Sequence, residues 1–244
     1  MTDHQIVTHE EWIAARRRFL AKEKEFTRLR DQLSRERREL PWERVEKPYV
    51  FQTDKGRESL ADLFEGHSQL IVYHFMYDPN WDIGCKSCSF WADGFDRTVV
   101  HLAARDTTMA AISRAPLAKL EAFKRRMDWT FDWVSSENNE FNYDYAVSFT
   151  REQMDKGEAR YNFGTTPPYG DELPGISVFY RGETGDVFHT YSTFARGLDM
   201  MNAAYQYLDL TPLGRHEEGL PYPMDWVRLR DQYQPAPVQA SCCH

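Results

Sequence analysis

Cys85-Lys86-Ser87-Cys88 constrains this chain more than any other stretch. The apolar run Leu70-Ile71-Val72-Tyr73-His74-Phe75-Met76 leads into it and reads as a buried strand. Ser89-Phe90-Trp91-Ala92-Asp93-Gly94-Phe95 follows and reads as the start of a helix. A thiol at that corner meets the free amide groups of a helix N-terminus, which favour its anion. The second thiol sits one helical turn away, within reach to close a disulfide. Lys86 adds positive charge between them, which predicts a low pKa for Cys85. Cys85 is thus the candidate nucleophile and Cys88 the candidate resolving thiol, with Lys86, Ser87 and Gly84 in support.

The same spacing occurs in zinc sites, which need four ligands and usually two such pairs. The only other cysteines, Cys242 and Cys243, are adjacent and followed by His244, not spaced as a knuckle. Redox chemistry is the leading expectation, ahead of half a zinc site or a pair of small core residues. No metal or other cofactor is expected. The Cys242-Cys243 tail could swing in as a second dithiol, or be incidental.

The chain has 244 residues, 41% hydrophobic and 14% aromatic, enough for one large domain with additions. A net charge of −8 argues against a nucleic-acid or anionic-membrane partner. Met1-Thr2-Asp3-His4-Gln5 begins no signal peptide, and no apolar run has the length of a membrane span. Four cysteines are few for a secreted disulfide scaffold. The expectation is a soluble, cytoplasmic protein.

Residues 9–40 predict one long charged helix, stopped by Pro41. Trp12, Phe19, Phe26, Leu33 and Leu40 recur every seventh residue and draw an apolar stripe. Lys22 and Glu36 spoil the second heptad position, so a long coiled coil is not expected. The stripe suits packing on the chain's own domain or in a homodimer. A strand at 49–53 and a turn at Asp54-Lys55-Gly56 lead to a second short element at 58–64. The strand at 69–76 and a helix running from Cys88 to Ala104 follow. Strands at 107–113 and 130–135 flank a helix opened by Pro116. Residues 150–174, rich in glycine and proline, predict an insert or long loop. A hairpin at 175–191 and a helix at 197–208 close the domain, and the segment from Leu213 predicts an extended, partly mobile tail.

Alternating strand and helix, then a hairpin and a helix, is the order of a thioredoxin-like α/β three-layer fold. The predicted boundaries are an N-terminal helical extension at 1–41, a thioredoxin-like domain at 42–212, and a C-terminal extension and tail at 213–244.

The stretches Cys85–Phe95, Ser113-Arg114-Ala115-Pro116, Arg126-Met127-Asp128-Trp129 and Trp133-Val134-Ser135-Ser136 carry a family resemblance. So do Glu23-Lys24-Glu25, Arg37-Arg38-Glu39-Leu40-Pro41-Trp42 and Phe141-Asn142-Tyr143-Asp144. Together they resemble a bacterial family catalogued as a domain of unknown function, described as thioredoxin-like, predicted dithiol–disulfide oxidoreductases. The resemblance covers roughly residues 8 to 230. It implies the fold and a redox role, with an unknown thiol or disulfide substrate and an unknown reductant as partners. The interior Lys86-Ser87 differs from thioredoxin's Gly-Pro. The facing strand begins Gly175-Ile176-Ser177, with Pro174 one position early for thioredoxin's proline, so the substrate groove is expected to differ. The loop Tyr77–Gly84 and the opening strand pair resemble the peroxiredoxin-like branch. A thiol peroxidase, with Cys85 attacking a peroxide oxygen, is therefore the enzyme alternative. A binding module that keeps the pair without turnover is the non-enzyme alternative.

Ligands gather at the carboxyl ends of strands in open α/β sheets, which points to Trp81, Gly84, Ser113, Arg114, Ser135 and Ser136. Arg114 could face Cys85 or pair on the surface; Trp81 could cover the thiols or pack. Asp93 could accept the Cys88 proton or lie exposed. Phe90, Trp91 and Phe95 are expected in the core. His74, His101, His189 and His216 show no metal-ligand spacing. No phosphate loop, dinucleotide fingerprint or nucleophile elbow occurs.

Overall fold

Two units make up the chain, Met1–Pro41 and Trp42–His244. The structure is a computed structural model that describes residues 4–233. Cys242 and Cys243, weighed as a second dithiol or an incidental tail, lie outside the described residues.

The N-terminal unit is the helix α1 (His9–Arg38), 30 residues long. Thr8 and Glu11 form a capping box: Glu11 N–H donates to Thr8 Oγ1 at 3.3 Å, and Thr8 N–H donates to Glu11 Oε2 at 2.9 Å. Glu10 and Glu11 in the first turn and Arg35, Arg37 and Arg38 in the last complement the helix dipole. None of its residues is buried.

The second unit is built on an eight-stranded sheet. In chain order its elements are β1 (Glu43–Arg44), β2 (Val50–Thr53), β3 (Gly56–Ser59), β4 (Gln69–His74), α2 (Lys86–Phe95), α3 (Val99–Ala103), β5 (Thr107–Ser113), α4 (Leu117–Arg126), β6 (Asp132–Ser135), α5 (Phe141–Asp144), α6 (Arg151–Asp155), β7 (Gly175–Arg181), β8 (Val187–Phe194) and α7 (Ala203–Leu208). The strand order is β1-β8-β7-β4-β5-β6-β2-β3. The β4–β5 and β5–β6 pairs are parallel, and all other pairs are antiparallel. This is the thioredoxin-like layer: β4, β5 and β6 with helical crossovers, then the hairpin β7–β8 on β4 and the closing α7. The strand pair β2–β3 extends the sheet beyond β6.

The middle of β4, Leu70 to Tyr73, is apolar because both of its faces are covered. Leu70 and Val72 join Phe51, Phe64, Ile112, Val134, Phe141 and Phe179 on one face. Tyr73 and Phe75 point to the other, where Cys88, Trp91, Phe95, Phe123, Trp129, Trp133 and Leu229 form a second core. The sulfur of Cys88 therefore shares a core with three indole rings.

A line of polar groups, three of them buried and His189 partly exposed, crosses the sheet. His74 Nε2 lies 2.8 Å from Ser177 Oγ, Ser177 Oγ 2.8 Å from Ser192 Oγ, and Ser192 Oγ 2.7 Å from His189 Nε2. Along a regular strand residues 189 and 192 would face opposite sides. The bulge opposite Val178 and Phe179 leaves Thr190 unpaired and turns both to one side. Burial, with a smaller effect from His189, lowers the pKa of His74 to about 3, so its ring is neutral.

Several expected elements differ. The helix beyond Cys88 is broken at Asp96, where a 3₁₀ turn (Asp96–Thr98) separates α2 from α3. The buried Asp96 carboxylate accepts the Thr130 amide at 2.6 Å and the Phe131 amide at 3.2 Å, tying this corner to the start of β6. The closing helix is divided at Asn202, whose side chain caps α7 by accepting from Tyr205 N–H at 3.1 Å. Pro116 is the N-cap of α4, with ψ 142°, not its first helical residue. The insert packs Ala159, Tyr161 and Leu173 into a small core with Val147, Phe149 and Phe194 of the flanking chain and β8. Residues 213–233 are no loose tail: Val227 and Leu229 are buried, and Asp231 pairs with Arg126 at 2.7 Å.

Candidate active site

The cysteine motif hangs from the end of β4. Cys85 N–H donates to Met76 O at 3.1 Å, and Met76 N–H donates to Cys88 Sγ at 3.4 Å. Cys85 is the N-cap of α2 and half-buried, whereas Cys88 is 1% exposed. No disulfide joins them. Cys85 is lowered to about 7, first by a hydrogen bond from the Cys88 thiol, then by the Cys88 and Ser87 amides and the Ser87 hydroxyl, against the cost of burial. Cys88 is pushed well above the usual thiol value by burial and by the neighbouring Cys85 sulfur. One sulfur is reachable and anionic near neutrality; the other is enclosed and protonated.

Lys86, expected to supply charge to the thiolate, is engaged elsewhere. Its ammonium donates to Asp225 O at 3.1 Å and lies 5.8 Å from the Tyr222 ring centroid. Ser87 contributes to lowering the Cys85 pKa. Gly84 lets the loop press onto the aromatic core: a Cβ there would stand 2.9 Å from Phe75 and 3.1 Å from Phe123. Trp81 packs partly buried on that core, and its carbonyl accepts Lys119 Nζ at 2.8 Å. Lys119 also donates to Pro79 O at 2.8 Å, so one ammonium fixes two points of the loop.

Arg114 neither faces Cys85 nor lies on the surface. Its guanidinium is buried between Asp78 of the cysteine loop, Glu172 of the insert and the Tyr143 hydroxyl. Glu172 also accepts from Ser148 Oγ at 3.0 Å. Burial pushes Glu172 up to about 7 although Arg114 pulls the other way. Asp93 points away from Cys88: it accepts Trp129 Nε1 at 2.8 Å and lies 3.4 Å from Arg230. Burial raises its pKa.

The strand-end serines serve the backbone and each other's neighbours. Ser113 Oγ donates to Phe75 O at 2.6 Å, Ser135 Oγ to Ala115 O at 2.7 Å, and Ser136 Oγ to Asn142 Oδ1 at 2.7 Å. Phe90, Trp91 and Phe95 pack in the second core, as expected. Among the described residues, no group of three or more His, Cys, Asp or Glu could hold a metal ion. No helix among them is long and apolar enough to cross a membrane.

Three tyrosines at the thiols carry no signal in the sequence. Tyr73 on β4 is buried and shares its core with Cys88. Tyr169 of the insert is largely exposed, with its phenol in electrostatic reach of both sulfurs. Tyr222, beside Lys86, is in electrostatic reach of Cys85. Tyr73 hides in an apolar strand pattern, and the other two lie far from the motif in sequence.

A sheet of this topology, with a cysteine pair at the first turn of the helix after its central strand, defines a thioredoxin-like protein. The chain belongs to the family described as "Bacterial protein of unknown function (DUF899)", whose model matches residues 1–233. No curated protein matches it. Solved structures similar to it include a peroxiredoxin Q of Xylella fastidiosa, with 11% identity, 68% of this chain and 95% of that one covered, and a TM-score of 0.43. Another is the peroxidoxin BcpB of Mycobacterium tuberculosis, with 14% identity, coverages of 69% and 97%, and a TM-score of 0.43. AhpC of Enterococcus faecalis is similar at 11% identity, with coverages of 69% and 93% and a TM-score of 0.44.

Proposed function

We propose that this protein is a dithiol–disulfide oxidoreductase. Cys85 attacks one sulfur of a substrate disulfide and forms a mixed disulfide; Cys88 then attacks Cys85 and releases the substrate thiol. The observation that carries this reading is the opposite tuning of two sulfurs one turn apart. Cys85 is half-exposed with a pKa of about 7, while burial keeps Cys88 protonated until it is needed. A thiol near neutral pKa combines a large thiolate fraction with good nucleophilicity.

The reading favours disulfide exchange over peroxide reduction. Arg114, one candidate cation for Cys85, is spent on Asp78 and Glu172. The partners are then a disulfide-bearing substrate and a thiol reductant, with no cofactor needed, and the site suits a reducing, cytoplasmic setting.

The test is single-turnover reduction of a small disulfide by the reduced protein, with equilibration against dithiol buffers to give the potential. Cys85→Ser should abolish reduction, and Cys88→Ser should stop at a mixed disulfide on Cys85. The reading fails if Cys85→Ser leaves reduction unchanged, or if Cys85 is alkylated with the profile of a thiol near 8.5. Rapid peroxide consumption with a sulfenate at Cys85 would move the assignment to thiol peroxidase.

A further inference from the structure

The helix α1 carries an apolar stripe that its own unit leaves bare. Trp12, Phe19, Phe26 and Leu33 recur every seventh residue, and Leu29 lies on the same side between the last two. These five side chains are 51–63% exposed, and no residue of the helix is buried. Most of the stability of an amphipathic helix comes from burying such a face, and bulky apolar side chains grouped on one stripe mark a contact surface. The charges flanking the stripe identify what covers it. Glu11, Arg18 and Glu25 each stand one residue before a stripe aromatic; Arg16, Glu23 and Arg30 each stand four residues after one. When two such helices pair in parallel and in register, each side chain of the first set meets the partner's side chain five residues further on. The meetings are Glu11 with Arg16, Arg18 with Glu23 and Glu25 with Arg30, opposite in charge each time, and two-fold symmetry makes each of them twice. An antiparallel pair with the stripes fully overlapped sets Arg16 against Arg30 on one flank and Glu25 against its own copy on the other.

We propose that α1 is a self-association helix: its stripe is covered by the same stripe of a second copy, parallel and in register. The inference is independent of the oxidoreductase reading. Within one chain Arg16 pairs with Glu23 at 2.8 Å, and with side chains 42% and 41% exposed both stay open to the charges of a second helix. Lys22 and Glu36 are the misfits. In this pairing each falls on the seam opposite its own copy, which is why the apolar spacing alone predicts no long coiled coil. The apolar stem of Lys22 can lie along the stripe while its ammonium reaches water. Glu36 accepts from Gln32 Nε2 of its own chain at 2.8 Å, near the end of the helix. A polar seam position fixes register at a cost in stability, so the product is a reversible dimer, not an obligate one.

Sedimentation of the full chain, with its thiols kept reduced, tests this. Wild type should pass from monomer to dimer as its concentration rises through the micromolar range. Phe19→Glu combined with Phe26→Glu should leave a monomer at every concentration. Glu25→Arg turns an attraction made twice into a repulsion made twice, and should weaken the dimer about tenfold. Adding Arg30→Glu restores opposite charges and should recover most of the wild-type affinity. The charge variants keep the stripe intact, so they decide the matter even where the two glutamates disturb folding. A wild-type chain that stays monomeric overturns the proposal; if the Phe19, Phe26 variant then melts lower, the stripe belongs to the chain's own second unit. A dimer that survives the two glutamates overturns α1 as the interface. A dimer indifferent to Glu25→Arg, or weakened by it and not recovered by Arg30→Glu, overturns the parallel register.

Discussion

At the scale of single residues, Cys85 depends on Cys88 more than on any other group, whereas Cys88 is set first by burial. The largest effect lowering Cys85 is the hydrogen bond from Cys88. Cys88→Ala should therefore move the alkylation midpoint of Cys85 upward from about 7, as iodoacetamide rates across pH would show. Gly84 is a second sensitive point. Its φ is ordinary, but an added methyl would meet Phe75 and Phe123. Gly84→Ala should cost about 1–3 kcal/mol in urea unfolding, as overpacked sites do. The cysteine pair is legible in the sequence because its chemistry is local: strand, two thiols and helix lie within 27 residues of chain, from Gln69 to Phe95. The anchoring of Cys88 by the Met76 amide is not, because an apolar strand pattern does not show where the amide just beyond its end points. The direction of Lys86 was equally hidden, being set by Asp225, 139 residues away.

At the scale of elements, the loop before the motif is held by charge as well as by packing. Arg114 joins the end of β5 to Asp78 of that loop and to Glu172 at the end of the insert. Removing the guanidinium leaves two buried carboxylates. Arg114→Met should cost about 3–5 kcal/mol in denaturant unfolding, and Arg114→Lys should recover only part, since an ammonium cannot reproduce the guanidinium fork. The sequence places Arg114 at a strand's carboxyl end but is silent on its partners, which lie 36 and 58 positions away. The broken helices have the same cause. Helical periodicity continues through Asp96, yet its carboxylate serves amides at the start of β6 and the helix does not pass straight through. Composition marked the insert as loop, while its few apolar residues, Tyr161 and Leu173 among them, form a small core with Val147, Phe149 and Phe194 from outside it.

At the scale of the whole molecule, two buried groups on different elements set opposing pH dependences. His74 titrates at about 3 when folded, against an ordinary 6.5. The unfolded chain takes up its proton first, so stability is full above pH 6.5 and lost as pH falls toward 3. Glu172 has the reverse sign: raised to about 7 from 4.5, it contributes fully below pH 4.5, and that contribution is lost as pH rises through 7. Between pH 4.5 and 6.5 the two offset each other. His74→Gln should therefore grow more stable relative to wild type as pH falls through this window. Glu172→Gln should grow less stable relative to wild type over the same fall. Urea midpoints at half-unit pH steps would show both trends; parallel curves for either variant would refute its assignment. The strand order needed for this argument was largely readable from the alternation of apolar strands and helices. The polar line from His74 to His189 was not, because it runs across strands and depends on a bulge at Thr190.

The packing of Cys88 among Trp91, Trp129 and Trp133 has an optical consequence. A disulfide accepts an electron from an excited indole far more readily than a pair of thiols does. Closing the Cys85–Cys88 bond should dim the tryptophan emission of the protein, and reduction should restore it. The molecule would then carry its own redox indicator, readable in a cuvette without a label, a substrate or a coupled enzyme.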